Sequence, residues 1–117
     1  MTKKKIADIY FFLAAARLSR LNDDEKIAVI RLLREMKPVA TDVKTSIEDA
    51  YRKASEDNPT DQAAAMRLAE KALEGVLTAN IGIETRVLSE DAFQRLCLSN
   101  DWTFGQIDEL EPELVTT

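Results

Sequence analysis

The sequence predicts a mainly α-helical protein: a helical bundle built on a hairpin, with one long proline-kinked helix, a short β segment near residues 81–87 and short C-terminal helices. Three observations lead to this fold class. A heptad pattern of apolar residues runs from residue 29 to 54, capping sequences precede several apolar segments, and glycine and proline number only three each. Few turn residues favour few, long elements.

The first predicted helix runs from Lys4 to Ser19, with Ile6 and Leu13 on its inner face. Its lysine-rich start and apolar sequence imitate a signal peptide. Asp8 precedes an apolar run of only eight residues, so we expect neither a signal peptide nor a membrane span.

The second predicted helix begins at Asn22 and reaches about Ser55. The Asn22 side chain can cap this helix, and the Glu25 side chain can accept a hydrogen bond from the Asn22 amide in return. Pro38 lacks an amide hydrogen and costs ~3 kcal/mol in a helix interior. The heptad phase continues across Pro38, which favours a kink, although Pro38 could instead begin a new helix. The helix seam consists of Val29, Leu33, Met36, Ala40, Val43, Ile47, Ala50 and Ala54.

This seam is suited to close contact with another helix and carries no group for chemistry. We expect it to pack first against the first and third helices of its own chain. Its far end then remains as an interaction surface for a second chain.

Asn58-Pro59-Thr60 ends this region, and a third helix is predicted from Thr60 to Ala79, forming an antiparallel hairpin with the second. Its many alanines allow close approach. Residues 81–87 then alternate in polarity, with Ile81, Ile83 and Val87 on one side, and predict a short strand whose edge could meet another chain.

Ser89 caps a short helix that ends near Asn100, and Thr103 with Gln106 forms a capping box for the last helix. We expect Pro112 to end that helix and residues 113–117 to form a mobile tail. No linker divides the chain, so residues 1–117 are predicted to be one helical domain.

Charge is uneven along the chain. Residues 89–117 contain seven acidic side chains and one basic one, net −6, whereas the whole chain carries −5. This argues against direct nucleic-acid binding.

Trp102 and Phe104 lie in this acidic segment, either as a docking pair for a basic partner or as part of the core. The candidate edge and acidic residues are Ile81, Ile83, Val87, Trp102, Phe104, Asp108, Glu109 and Glu111.

Catalytic chemistry has little support in the composition. Histidine is absent and cysteine occurs once, as Cys97, which we interpret as a small buried hydrophobe. The acidic clusters at residues 23–25 and 48–49 are consecutive and face outward, unlike a helical metal site. We therefore predict no enzyme, no cofactor and no metal. Paired carboxylates in one pocket would change that prediction. A single cysteine cannot form a disulfide within the chain, so we expect the protein in a reducing compartment such as the cytoplasm.

Several features of the chain carry a resemblance to known proteins: Ile6, Ile9, Tyr10 and Leu13, Pro38, the charged end from Glu48 to Lys53, the segment from Ile81 to Val87, the segment from Ser89 to Leu96, and the closing Trp102, Thr103, Gln106, Ile107, Leu110 and Glu111. In the order and spacing of these features the chain resembles a family of small, uncharacterised, mostly helical proteins that bacterial phages and prophages encode, often beside virion assembly genes. The resemblance implies a structural or assembly accessory role without catalytic residues, and association with a virion.

Two functional hypotheses follow. The first is a non-enzymatic helical interaction protein that forms homo-oligomers through the seam and the edge at residues 81–87. The second is an acidic regulator or inhibitor that binds a basic surface of a host protein through residues 89–117.

Overall fold

The computed structural model describes residues 1–116 and is mainly helical, as the sequence predicts. Its helices are α1 (Lys3–Ala14), α2 (Asp23–Asp57), α3 (Gln62–Thr78), α4 (Glu90–Ser99) and α5 (Phe104–Leu114). The chain divides into two compact units. Unit 1 comprises residues 1–8 and 37–82, and unit 2 comprises residues 9–36 together with the chain from residue 83 onward. The single domain stays a prediction.

Helix α2 runs without a break from Asp23 to Asp57, with Pro38 inside it. A new helix beginning at Pro38 is therefore wrong, while the kink stays a prediction. The predicted cap is confirmed: the Glu25 amide donates to Asn22 Oδ1 at 2.8 Å, and the Asn22 amide donates to Glu25 Oε1 at 2.9 Å.

One buried cluster of unit 1 consists of small side chains. Ala54 of α2 packs in one buried cluster with Ala65 and Ala69 of α3, and Ala50 lies against that cluster. Helix α3 begins after Asp61, whose carboxylate accepts a hydrogen bond from the Ala64 amide at 3.1 Å. Alanines of the second and third helices thus share one buried cluster, while the antiparallel hairpin stays a prediction. The remaining buried apolar residues of this unit are Ile6, Ala7, Ala40, Val43 and Leu73.

Unit 2 builds its core from both ends of the sequence, because an amphipathic face is stable only when another apolar face covers it. Its buried apolar residues are Ile9, Leu13, Leu21, Val29, Leu32, Met36, Leu88, Ala92, Phe93, Leu96, Leu110 and Leu114.

Helix α1 ends at Ala14, five residues before the predicted end at Ser19. The next residues are held by a distant side chain. Asn100 accepts a hydrogen bond from the Arg17 amide at 2.8 Å and donates one to the Arg17 carbonyl at 3.0 Å. This two-way pairing satisfies backbone groups that a longer helix would otherwise have paired.

The strand predicted at residues 81–87 is not confirmed. Side-chain burial alternates as expected, and Thr85 is buried. Within residues 1–116, however, the segment forms no ladder, only isolated bridges at its two ends. In unit 1 Asn80 pairs with Thr2, and in unit 2 Leu88 pairs with Val115. The backbone partners are thus segments of the same chain.

Helix α5 continues past Pro112 to Leu114, so the predicted stop at Pro112 is wrong. Residues 113–116 also differ from the predicted mobile tail, and Thr117 lies outside the described residues. Leu114 is fully buried, and the Thr116 amide donates to the Leu88 carbonyl at 2.8 Å. Burial of Leu114, with a hydrogen bond from the Val115 amide to the Glu111 carbonyl at 3.0 Å, offsets the hydrogen bond that proline lacks.

Candidate protein-interaction surface

The turn between α4 and α5 displays two large apolar side chains to solvent. Leu98, near the end of α4, is 68% exposed, and Phe104, the first residue of α5, is 81% exposed. We call residues 98–104 the α4–α5 corner. Exposed apolar side chains of this size are a feature of binding surfaces when they are held in fixed positions.

Side-chain hydrogen bonds fix the corner. The Asn100 side-chain nitrogen, Nδ2, donates to the Leu96 carbonyl at 2.8 Å, in addition to the bonds of this side chain with Arg17. The predicted capping box is confirmed: Thr103 accepts a hydrogen bond from the Gln106 amide at 3.2 Å, and the Thr103 amide donates to Gln106 Oε1 at 3.0 Å. A preorganised surface loses less entropy when it binds.

Trp102 and Phe104 have different environments, although the sequence places them two residues apart. Trp102 is half-buried and its ring packs on Phe12, with the ring centroids 4.9 Å apart. Phe104 is exposed. Trp102 therefore belongs to the core of unit 2, and Phe104 alone of this pair faces solvent.

Along α5 the exposed aromatic residue is followed by acidic residues. Phe104, Asp108 and Glu111 follow at intervals of four and three residues, so they share one face of the helix, and all three are exposed. Glu109 is exposed beside them. This face presents an apolar group at one end and carboxylates towards the other.

The single basic residue of the acidic segment is already paired. Arg95 donates to Glu25 Oε1 at 2.6 Å and to Glu25 Oε2 at 2.8 Å, and to the Arg20 carbonyl at 3.3 Å. The hydrogen bond from Arg95 lowers the pKa of Glu25, and the bond from the Asn22 amide acts in the same direction. Arg95 therefore neutralises the α2 cap and does not offset the carboxylates of α5.

The other predicted interaction residues are mostly covered. Of the seam, Val29, Met36, Ala40, Val43 and Ala54 are buried, and Leu33, Ile47 and Ala50 are half-buried. The edge residues Ile81, Ile83 and Val87 are half-buried as well.

Leu98 was not among the predicted site residues. The inner side of α4 is marked by Ala92, Phe93 and Leu96, which are buried, and Leu98 lies off that side at 100° per residue. A leucine outside the apolar face was the signal that could have identified it. Cys97 beside it is half-buried, and burial raises the pKa of its thiol.

Residues 1–116 bring together no group of three or more histidine, cysteine, aspartate or glutamate side chains that could hold a metal ion. None of the helices described has the length and apolar character needed to cross a membrane.

Comparison with family models, with curated proteins and with solved structures found no match to this chain.

Proposed function

We propose that this chain is a non-enzymatic helical interaction protein that binds a basic surface of a protein partner through the α4–α5 corner and the acidic face of α5. The observation that carries the proposal is the exposure of Phe104, 81%, in a hydrogen-bonded corner next to the exposed carboxylates of α5. An exposed aromatic residue beside fixed charges is the kind of anchor that interfaces use.

Helix α5 itself supports a cationic partner. Asp108, Glu109, Glu111 and Glu113 occupy its C-terminal two-thirds, and its last turn contains no basic residue. Of these, Glu111 and Glu113 lie in the last turn, where negative charges oppose the helix dipole and cost about 0.3–1 kcal/mol each. Basic side chains from a partner would remove this repulsion on binding.

The burial of the helix seam favours a role in the core over a role in self-association. We retain the interpretation of a phage- or prophage-type structural or assembly accessory protein as part of the proposal, with the basic surface belonging to a host or virion protein. No catalytic residue and no cofactor is assigned.

The test uses a lysine- and leucine-containing amphipathic helical peptide as the probe and titration calorimetry as the measurement. We expect binding that weakens steeply with added salt. Phe104→Ser should weaken it by about 30-fold, which corresponds to the ~2 kcal/mol of an anchoring aromatic residue. The matched control is Met66→Ser, which removes an apolar side chain of α3 that is also exposed. Equal affinity of the parent and Phe104→Ser, or affinity independent of salt, would refute the proposal.

A further inference from the structure

Helix α2 has an exposed face that combines two isoleucines with two arginines. Ile27, Arg31 and Arg34 follow at intervals of four and three residues, and Ile30 lies on the same side of the helix. All four are exposed, and Ile27 is 46% and Ile30 39% exposed. Val29, on the opposite side of the helix, is fully buried. We call these four exposed residues the α2 basic face.

The two arginines of this face take part in no ion pair within residues 1–116, where the five ion pairs lie elsewhere. Arg34 has no acidic residue three or four positions away in either direction, and Arg31 at that spacing carries the same charge. Like charges so placed repel. Glu35 is the one acidic residue at that spacing from Arg31, so the positive charge of the face is only partly compensated along its own helix.

The acidic face of α5 has the same spacing with the opposite charge. Phe104, Asp108 and Glu111 are exposed and also follow at intervals of four and three residues. Helix α5 contains no basic residue, so its carboxylates have no counter-charge along their own helix. One apolar side chain followed by two arginines on α2 thus matches one apolar side chain followed by two carboxylates on α5.

We infer that the acidic face of α5 binds the α2 basic face of a second copy of this chain, with the two helices parallel. Both faces are exposed, so one chain does not pair them by itself. Charges that repel along each helix then attract across the pair. The inference rests on the proposed function, because it gives the same acidic face a partner. The opposed residues are Phe104 and Ile27, Asp108 and Arg31, and Glu111 and Arg34.

The acidic residues at the start of α2 lie outside the matched turns. Asp23 and Asp24 precede the α2 basic face by one turn, level with the α4–α5 corner of the other copy. At that corner the Asn100 side chain holds the backbone of Arg17 with bonds of 2.8 and 3.0 Å. The exposed Arg17 therefore gives this end of the contact a basic residue as well as Asp101.

Sedimentation velocity from about ten micromolar to about one millimolar tests the pairing, a range suited to weak association. We expect the parent chain to associate reversibly. One double variant carries Arg31→Glu and Arg34→Glu, and the other carries Asp108→Arg and Glu111→Arg. Each should weaken association by about tenfold, because both opposed pairs become like-charged. An equimolar mixture of the two should recover association, because the new carboxylates of one variant meet the new arginines of the other.

The matched control carries Lys44→Glu and Lys53→Glu. Both lysines are exposed and lie farther along α2, so this variant changes the net charge by the same amount as the arginine variant. It should associate as the parent chain does. A control that loses association as strongly as the arginine variant would show a general effect of charge and overturn the inference.

The lysine- and leucine-containing peptide separates this inference from the proposed function. The arginine variant should bind the peptide as tightly as the parent chain, because its α5 is unchanged. A parent chain that binds the peptide but stays monomeric at the highest concentration overturns the inference and leaves the proposed function standing. Association that the double variants do not weaken, or that their mixture does not recover, also overturns the inference. A parent chain that associates but does not bind the peptide contradicts the proposed function instead.

Discussion

Replacing Leu114 by alanine tests whether the C-terminal residues are part of the folded core. Leu114 is 0% exposed, and its carbonyl accepts a hydrogen bond from the Leu88 amide at 3.0 Å. Truncation of a fully buried leucine costs about 2–5 kcal/mol, the sum of lost burial and the cavity left behind. In urea, where stability changes by about 1–3 kcal/mol per molar, the unfolding midpoint should fall by about 1–3 M.

Tryptophan fluorescence is a suitable assay, because the chain has a single tryptophan, Trp102, and it lies in unit 2. The matched control is Phe104→Ala on the same helix. Phe104 is exposed, so this variant should stay within about 0.5 kcal/mol of the parent. If Leu114→Ala unfolds at the same urea concentration as the control, residues 113–116 do not contribute to the core and the reasoning fails.

Two further predictions concern α2. Glu25→Gln should destabilise the protein at about pH 7, and the difference from the parent should shrink as the pH falls below 4.5, the ordinary pKa of the carboxyl. The folded pKa is lowered, so the stabilisation is present above the unfolded pKa and is lost as pH falls through the folded one. Urea titrations at several pH values measure this, and a constant difference down to about pH 3 would contradict it. Pro38→Ala should stabilise the protein by about 1–3 kcal/mol, because the Arg34 carbonyl regains a donor. Chemical denaturation followed by circular dichroism measures the gain, and an unchanged or lower midpoint would contradict it.

The features that the sequence predicts correctly depend on neighbouring residues. The caps at Asn22, Ser89 and Thr103 join groups three residues apart, so their pattern is visible in the chain itself. The predicted ends of α1 and α5 are wrong for the opposite reason. The pairing of Asn100 with Arg17 joins residues 83 positions apart, and the continuation past Pro112 depends on tertiary burial.

The candidate surface was predictable only in part. Acidic composition and an aromatic pair indicate the segment, yet they cannot tell that Trp102 has a partner in Phe12 while Phe104 faces solvent. The alternation at residues 81–87 correctly predicts burial on one side, as at Thr85, whose hydroxyl donates to the Glu113 carbonyl. It says nothing about a pairing partner, and a strand requires one.

Because unit 2 combines distant parts of the sequence, its core stays incomplete while the chain is being synthesised. Ile9, Leu13 and Val29 leave the ribosome well before the residues that complete their unit, such as Phe93 and Leu114. Domains fold during synthesis from the N-terminus onward, and exposed apolar surface at that stage favours aggregation. The nascent chain therefore holds an uncovered apolar helix face until residues such as Phe93 and Leu114 emerge, and slow elongation or a stop before them would leave a product prone to aggregate.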